Sequence, residues 1–442
     1  MTYRSWGYIP TVKPRVRKLG WPTASFNEAA GDATSVLAYG NGRSYGDSCL
    51  NSHGHLIDMR ALDRLLVFDR LQGTLTAETG ITLAEILSVI VPAGWFLPVT
   101  PGTSYVTLGG AIANDVHGKN QHCDGTFGCF IQHMSVLRSE GGVHECSPDT
   151  NTALFQATIG GLGLTGLIMQ ATIKLMPVDS AMLDVRVDPF TGLKAFLALS
   201  QSRSDTHKYS VAWLDCVAAG SQFARGILLS ANHVASDAGN EQALSLTRGN
   251  ALAPTIQVPF NLPALVLNRY SLRAFNTLYY HRQRRLQSRV LRQHFRPFFY
   301  PLDAVNNWNR IYGSGGFHQY QFVVPLNALH VMEHILQRIV AAGLGSFLAV
   351  LKIFGDIPSP GILSFPRQGV CLALDFANRG PRTETLIHSL DIEVRDAGGA
   401  AYPAKDRLMS AQSFKAYFPA WEQFTSQVDP AFQSDFWQRV NE

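Results

Sequence analysis

Three glycine-rich loops, each beside a short β-type run, constrain the fold of this chain more than any other feature of its sequence. The first spans residues 40–48 after the run SVLAY, the second 101–120, and the third 160–166 before LIMQATI. Glycine permits tight turns and a close backbone approach to a ligand, and consecutive N–H groups in such turns can bind phosphate oxygens. One such loop could be an ordinary turn, and none has Rossmann or Walker spacing. Three in this order predict a site for a flat or anionic ligand.

The charge of the chain is small in total but uneven in its distribution. The 442 residues carry a formal net charge of +4, which gives no argument for nucleic acid as a partner. Residues 242–302 nevertheless contain nine arginines and no aspartate or glutamate. Such asymmetry indicates a partner of opposite charge.

Composition excludes several classes of protein. Apolar residues make up 46% and charged residues 16% of the chain, which is typical of a folded protein, and the length predicts two or three domains. The six cysteines form no CxxC pair or zinc pattern, so we expect no metal site and no disulfide framework. Without a signal-peptide core or an apolar run long enough to span a bilayer, the sequence predicts a cytoplasmic protein or one peripheral at a membrane surface.

The organisation of the chain predicts an α+β protein with two domains. The first 180 residues hold short β-type runs and one clear helix, TLAEILSVIVPAG, in which Thr82 and Glu85 have capping-box spacing and Pro92 ends the helix. Later segments such as YSVAWLDCV, HQYQFVVP, FLAVLKIFG and GVCLALDFA predict one antiparallel sheet with helices between its strands. We place the domains at 1–181 and 182–398, with 399–442 returning to the first.

A cluster of titratable residues follows the second glycine pair. Asp115, His117 and Lys119 lie within five residues of one another. Histidine is the side chain best suited to proton transfer near neutral pH. A lone histidine would more often be structural, but the glycine-rich context reverses that preference and favours a functional histidine.

The motifs taken together resemble the vanillyl-alcohol-oxidase-type FAD flavoproteins, and most of all the branch that oxidises polyprenylphosphoryl-β-D-ribose. The resemblance runs from about Trp6 to Val440 and rests on the segments GNGRSYGDS, TPGTSYVTLGGAIANDVHGKNQH, GGLGLTGLIM, GFHQYQFVVP, FLAVLKIFG and YPAKD. It implies an FAD-binding α+β domain and a substrate domain with an antiparallel sheet flanked by helices.

The resemblance also implies which residues bind FAD. The loop around the pyrophosphate would comprise Tyr39, Gly40, Asn41, Gly42, Arg43, Ser44, Tyr45, Gly46, Asp47 and Ser48. The flavin and adenine would be lined by Gly102, Thr107, Gly109, Gly110, Asn114, His117, Ile168 and Tyr402. Many relatives tether FAD through a histidine in the first loop, where this chain has Ser44, or through a cysteine shortly before the glycine pair, where it has Tyr105 and Val106. We therefore expect non-covalent FAD.

On the substrate side, the resemblance implies oxidation of the 2-hydroxyl of a polyprenylphosphoryl-ribose to the 2-keto sugar by hydride transfer to flavin N5. This is the first half of an epimerisation to the arabinose form for cell-wall biogenesis, completed by a short-chain-dehydrogenase-type reductase partner. Lys405 is our first choice to activate the hydroxyl, with His117 or Tyr45 sharing the role. The expected substrate residues are Lys119, Trp213, Gln319, Gln321, Lys352 and Lys405, of which Lys119 and Lys352 would hold the phosphate.

Two features depart from the pattern or leave alternatives open. The active-site cysteine that this branch often carries two residues before an Asp-Phe pair is replaced by Ala373, and Cys371 lies one step earlier on the same strand face. Hydride transfer does not require a cysteine at this position, but sensitivity to thiol-directed covalent inhibitors does. The segment 269–296 interleaves arginine with aromatic residues, and it could contact anionic lipid head groups or be a solvated loop beside the site.

Two other functions remain possible from the sequence alone. The first is a soluble sugar, alditol or natural-product oxidase on the same scaffold, which would not need the arginine-rich segment. The second is a flavin-binding scaffold without catalysis, against which the presence of Lys405 and His117 argues.

Overall fold

A computed structural model describes residues 3–235, 256–263 and 265–441 of the chain. The first part of the acid-free stretch, residues 242–255 with Arg248, lies outside the described residues. Within the described ranges, every helix is too short or too polar to cross a bilayer.

The strands are β1 Arg15–Lys18, β2 Val36–Tyr39, β3 His55–Asp58, β4 Leu65–Asp69, β5 Thr74–Glu78, β6 Trp95–Phe96, β7 Ile131–Leu137, β8 Val143–Cys146, β9 Leu167–Lys174, β10 Met176–Pro177, β11 Met182–Thr191, β12 Tyr209–Leu214, β13 Arg225–His233, β14 Ile256–Gln257, β15 Val290–His294, β16 Val305–Asn306, β17 Phe317–Val324, β18 Ala349–Phe354, β19 Gly369–Ala377 and β20 Ala400–Ala401. The α-helices are α1 Phe26–Ala30, α2 Leu83–Ile90, α3 Leu108–Ala113, α4 Gln121–Asp124, α5 Thr152–Thr158, α6 Leu193–Ser204, α7 Arg269–Arg284, α8 Phe295–Phe299, α9 Leu329–Ala342, α10 Pro381–Asp396, α11 Ala411–Tyr417, α12 Trp421–Thr425 and α13 Asp435–Val440.

The first part of the chain forms two sheets. In the N-terminal sheet, β1 and β2 pair with β3 in parallel, in the order β1-β3-β2. The second sheet is antiparallel, with the order β4-β5-β9-β7-β8. Helices α2 and α3 pack against the second sheet, because Leu83, Ile86 and Leu108 share one hydrophobic cluster with Leu75 and Ile173.

The later part forms one large antiparallel sheet, in the order β15-β11-β13-β12-β18-β19-β17-β20. Alternate residues of a strand point to opposite faces, and here the two faces differ in chemistry. One face carries buried Phe322, Leu351 and Leu372, which belong to one cluster with Met332 and Ile335 of α9. The opposite face forms the wall of a cavity.

The main secondary-structure predictions are confirmed. The capping box is present in α2, where Glu85 N–H donates to Thr82 Oγ1 and Thr82 N–H donates to Glu85, and the helix ends at Ile90, before Pro92. The segments predicted as strands of one antiparallel sheet are β12, β17, β18 and β19. The arginine-rich segment is not a loop over residues 269–284, because it forms α7 with Asn268 as its N-cap.

The C-terminal segment contacts the first part of the chain at several points. Asp429 is fully buried and accepts hydrogen bonds from the backbone N–H of Ser139 (2.8 Å) and from its hydroxyl (2.6 Å). Phe432 forms a β-bridge with Val36. These contacts hold the C-terminal segment against the first part of the chain. The domain limits expected from the sequence stay a prediction.

Candidate active site and cofactor cradle

One continuous cavity of about 700 Å³ lies between the three glycine loops and one face of the large sheet. Its wall at one end consists of the first loop, helix α3 and the third loop, with Ile168 of β9. Its wall at the other end consists of β11, β12, β13, β18 and β19 together with α7 and α8. This size is within the range of ligand-binding sites.

The first glycine loop is held against the start of α3 by close packing. A side chain on Gly40 would place its Cβ 2.4 Å from Thr107 Oγ1, so only glycine fits there. Gly42 has a φ of +56°, which favours glycine, and a Cβ there would lie 2.2 Å from Tyr39 Oη. Asn41 Nδ2 donates to Tyr105 O (2.9 Å) and so ties the first loop to the second.

The second and third loops meet at the ends of α3. Thr107 is the N-cap of this helix, and its Oγ1 accepts from Gly110 N (3.2 Å). The third loop packs at the other end, where Leu162 N–H donates to Ala113 O (2.7 Å). Three segments distant in sequence therefore line one side of the cavity with backbone and small side chains.

Two polar atoms of the first loop fit an anionic ligand. Arg43 Nε and Ser48 Oγ are buried, and the described part of the chain offers them no hydrogen-bond partner. Both residues line the cavity. Buried polar groups are almost always hydrogen-bonded, so unpaired donors at a glycine cradle indicate that a ligand completes the site. The donor set suits the pyrophosphate and ribose of FAD.

The register of the large sheet places the predicted substrate residues on one face. Gln321 pairs with Ala373, Ala373 with Val350, and Val350 with Trp213, across β17, β19, β18 and β12. Side chains of paired residues in antiparallel strands point to the same face. Lys352 lies two residues after Val350 and therefore points to the same face.

His117 connects the second loop to this sheet face. Its Nε2 lies 2.6 Å from Gln321 Nε2, and its Nδ1 lies 3.4 Å from Lys352 Nζ. Burial first, and then the charge of Lys352, hold the pKa of His117 well below its ordinary value. The imidazole is therefore neutral over the physiological pH range.

Lys405 lies beside Tyr45 at the same place. Its Nζ is 3.9 Å from the centroid of the Tyr45 ring. Burial lowers the pKa of Lys405 to about 7, although nearby Asp375 opposes the shift. Burial keeps the pKa of Tyr45 well above its ordinary value, so this phenol stays protonated.

Lys119 lies where the loops meet α8. Its Nζ donates to the carbonyl oxygens of Phe298 and Phe299 and lies 4.8 Å from the centroid of the Phe298 ring. Burial and the nearby charge of Lys352 lower its pKa to about 7. Burial likewise lowers the pKa of Lys352 to about 8.

The cavity brings most of the predicted site residues together. Those that line it are Gly40, Asn41, Gly42, Arg43, Ser44, Tyr45, Ser48, Gly102, Thr107, Gly109, Gly110, Asn114, His117, Lys119, Ile168, Trp213, Gln319, Gln321, Lys352, Tyr402 and Lys405.

Three predicted cofactor residues lie behind this wall and have other partners. Tyr39 Oη donates to Arg4 O (2.8 Å). A Cβ on Gly46 would lie 1.7 Å from Asp406 O, so its backbone packs against that loop. Asp47 pairs with Arg439 (2.9 Å) and so anchors the C-terminal segment. Their proximity in sequence to the true lining residues does not bring their side chains to the cavity.

One residue that sequence reasoning missed is Asp375. It is fully buried beneath Gln319, whose Nε2 donates to its Oδ1 (2.6 Å), and Tyr312 Oη donates to its Oδ2 (3.3 Å). Burial raises its pKa to about 7. An acidic residue inside the otherwise apolar run GVCLALDFA was the signal that could have found it.

Cys371 and Ala373 both line the cavity. Gln321 Nε2 donates to Cys371 Sγ (3.4 Å), and burial raises the pKa of this thiol to about 12. A protonated thiol is a poor nucleophile. The cysteine of this chain therefore lies in the site, one step along the strand, but in an unreactive state.

Comparison with known proteins finds relatives among FAD-binding proteins and oxidases. Residues 24–147 match the model of an FAD-binding domain. The decaprenylphosphoryl-β-D-ribose oxidase of Mycolicibacterium smegmatis is 35% identical over 416 residues, 92% of this chain and 89% of the relative. An uncharacterised protein of Streptomyces coelicolor is 32% identical over 81% of this chain and 100% of its own. The L-gulonolactone oxidase of Scyliorhinus torazame is 32% identical over 32% of each chain.

We predict that denaturation of the protein releases FAD as an unmodified molecule, because no covalent bond holds it. Ser44 lines the cavity where tethered relatives carry histidine, and its hydroxyl forms no stable bond with a flavin carbon. Acid precipitation of the yellow protein should therefore release all flavin fluorescence into the supernatant. Flavin that stays with the precipitated chain would contradict this expectation, and Ser44→His serves as a control that offers a tethering side chain at the same position.

Proposed function

The chain belongs to the family of decaprenylphosphoryl-β-D-ribose oxidase, and we propose that it oxidises the 2-hydroxyl of a polyprenylphosphoryl-β-D-ribose to the 2-keto sugar. Members of this family are FAD-dependent oxidoreductases. The single observation that carries the proposal is a cluster of three lysines and one neutral histidine in the same cavity as the cofactor cradle.

The lysine cluster supports a substrate that bears a phosphate. Burial lowers the pKa of Lys119, Lys352 and Lys405, and the charge of Lys352 lowers the pKa of the other two further. Among the described residues that line the cavity, the acidic side chain is that of Asp303. A cavity lined by several groups of one charge attracts a ligand of the opposite charge. Lys119 and Lys352 would bind the phosphate, and a soluble alditol oxidase would have no use for them.

Among the three candidates for hydroxyl activation, Lys405 fits best. His117 has a pKa too low to hold a proton, and Tyr45 has a pKa too high to release one. Lys405, with a pKa of about 7, changes its charge near neutral pH and so matches a general base. His117 and Gln321 would orient the sugar by hydrogen bonds, and Tyr45 would position Lys405 through its ring.

Bound FAD supplies the acceptor for the two electrons of the carbinol. The chain's own residues would bind the phosphate, take the hydroxyl proton at Lys405 Nζ and exclude water from the sheet face. The resulting ketone would need a separate nicotinamide-dependent reductase of the short-chain dehydrogenase type to become the arabinose form. The partner reductase and the stereochemical outcome are both parts of this proposal.

Anaerobic mixing tests the substrate. We expect farnesylphosphoryl- or decaprenylphosphoryl-ribose to bleach the flavin absorbance and to yield the 2-keto sugar, because the lysine cluster recognises phosphate and the cradle holds FAD. Free ribose and alditols should bleach it far more slowly. Bleaching by free sugars alone would overturn the proposal, and arabinose formed by the pure chain would overturn the need for a reductase.

The pH dependence of kcat/KM tests the role of Lys405. The base form of Lys405 grows as pH rises through about 7, which gives a rising limb. Loss of charge on Lys119 and Lys352 between about 7 and about 8 weakens phosphate binding and gives a falling limb. Lys405→Met should lower kcat by roughly 10²–10⁴-fold, the usual contribution of a general base, and remove the rising limb.

Lys174→Met, at the exposed last residue of β9, is the matched control and should leave the bell-shaped profile unchanged. A Lys405→Met enzyme that is slow but keeps the rising limb would assign the base to another group.

We also propose peripheral contact between α7 and an anionic membrane. Tyr270 (69% exposed) and Leu278 (72% exposed) lie on its outer face together with exposed Arg273. An amphipathic helix with arginine beside exposed apolar side chains binds anionic lipid surfaces. This helix lies directly beside the cavity, where a lipid-linked substrate would have to enter.

Vesicle co-sedimentation tests the contact. The protein should bind vesicles that contain phosphatidylglycerol, bind pure phosphatidylcholine vesicles weakly, and be released by salt. The double variant Tyr270→Ser, Leu278→Ser should bind at least about tenfold more weakly, since each buried apolar side chain contributes about 1.5–3 kcal/mol. Leu71→Ser, at a position that is 93% exposed elsewhere on the molecule, is the control. Equal binding by the double variant and this control would refute the proposal.

A further inference from the structure

The cavity face of the large sheet changes from polar to apolar across its width. At the β17–β19–β18 side it presents Gln321 and Lys352. At the other side Val211 pairs with Leu229, and Leu229 with Val187, so these three side chains form one apolar row across β12, β13 and β11. The predicted sugar site occupies only the polar half of this face.

The apolar half is covered by α7 and by the segment that follows it. We call this half the apolar arm and define it by Val185, Val187, Val211, Leu229, Leu286 and Leu291. Val185, two residues from Val187 and therefore on the same face, pairs directly with Leu291 of β15 at the edge of the sheet. Leu286 packs into the same small cluster as Val187.

The arm continues toward the surface along aromatic side chains. Tyr279 of α7 lies 4.7 Å from Trp213, and Phe275 stacks on Tyr279 at 6.2 Å, both as ring-centroid distances. Phe275 lines the cavity and is also 49% exposed. The cavity therefore reaches solvent at the face of the molecule that carries α7.

Lys119 lies at the junction of the two halves. Its carbonyl oxygen accepts from Ser210 N (2.8 Å), immediately before Val211, and its Nζ lies against Phe298. The charged side chains of the cavity are at or beyond this junction, and the described residues that line the arm are uncharged, with Gln283 and Gln293 nearby. A ligand with an anionic group at Lys119 would thus have its apolar part in the arm.

We propose that the apolar arm binds the isoprenoid units next to the phosphate of the substrate. This rests on the proposed function, which supplies a phosphate with a prenyl chain on one side and a ribose on the other. The polar half of the cavity would hold the ribose, Lys119 the phosphate and the apolar arm the prenyl chain, which is the order of these groups in the substrate. Removing apolar surface from water drives such binding, so affinity rises with every isoprene unit until the arm is full.

Binding of prenyl monophosphates to the FAD-loaded enzyme tests this without turnover. Dimethylallyl, geranyl, farnesyl and geranylgeranyl monophosphate are titrated while the flavin absorbance and the thermal midpoint are followed. We expect affinity to increase at least about tenfold from the first to the longest, with a plateau where the arm ends. Inorganic phosphate should bind most weakly.

Two variants test whether the prenyl chain of the ligand lies in the apolar arm. Leu229→Trp fills the arm, and Leu291→Ser makes its wall polar without adding volume. Both variants should lower the affinity for geranylgeranyl monophosphate at least about tenfold and leave the affinity for inorganic phosphate unchanged. Val290→Trp is the matched control, because Val290 is the neighbour of Leu291 on the exposed face of β15. The flavin spectrum of each variant shows whether it has folded.

The outcomes separate this inference from the proposed function. Affinity that does not depend on chain length, or arm variants that behave like Val290→Trp, would overturn the arm as a prenyl site even if polyprenylphosphoryl-ribose still bleaches the flavin. Failure of that sugar to bleach the flavin, with length-dependent prenyl phosphate binding intact, would overturn the proposed substrate and leave the arm as a lipid site.

Discussion

The register of the large antiparallel sheet is the constraint on which the rest of this structure depends. Because side chains alternate strictly along a strand, pairing β17, β19, β18, β12, β13 and β11 in one register places every second residue on the cavity face. A shift by one residue in any pair would exchange Lys352 or Gln321 for a residue of the hydrophobic core. The helices α9 and α10 prevent such a shift, since they bury the opposite face.

The register places Lys352 on the cavity wall, where the second loop adds Lys119 and the segment after β20 adds Lys405. Lys119, Lys352 and Lys405 all have lowered pKa values, and burial is the main cause for each. A neutral fraction of Lys405 at physiological pH and a site that favours an anion are two consequences of the same desolvation. Asp375 lies beneath Gln319 and opposes the effect of burial on Lys405, because its charge raises the pKa of that lysine.

Much of the site could be predicted because its backbone parts are local. The glycine loops require glycine for reasons visible in sequence, and Gly40 and Gly42 do lie where a side chain would clash. Sequence proximity does not show which side chains of a loop line the cavity, since the side chain of Asp47 pairs with Arg439. Asp375 was missed because its importance comes from burial between strands, and Cys371 is held protonated by burial that the sequence does not show.

The sequence by itself determined the α+β class, the cofactor cradle, the family and the identity of the lysines, because glycine patterning, strand alternation and motif order are properties of the chain. Only the tertiary structure decided that the arginine-rich segment 269–284 is a helix at the mouth of the cavity and that Val187, Val211 and Leu229 form an apolar row beside the lysines. These features depend on contacts between strands far apart in sequence. Desolvation by those contacts also sets the pKa values of the site, and no residue's own sequence position records how deeply it will be buried.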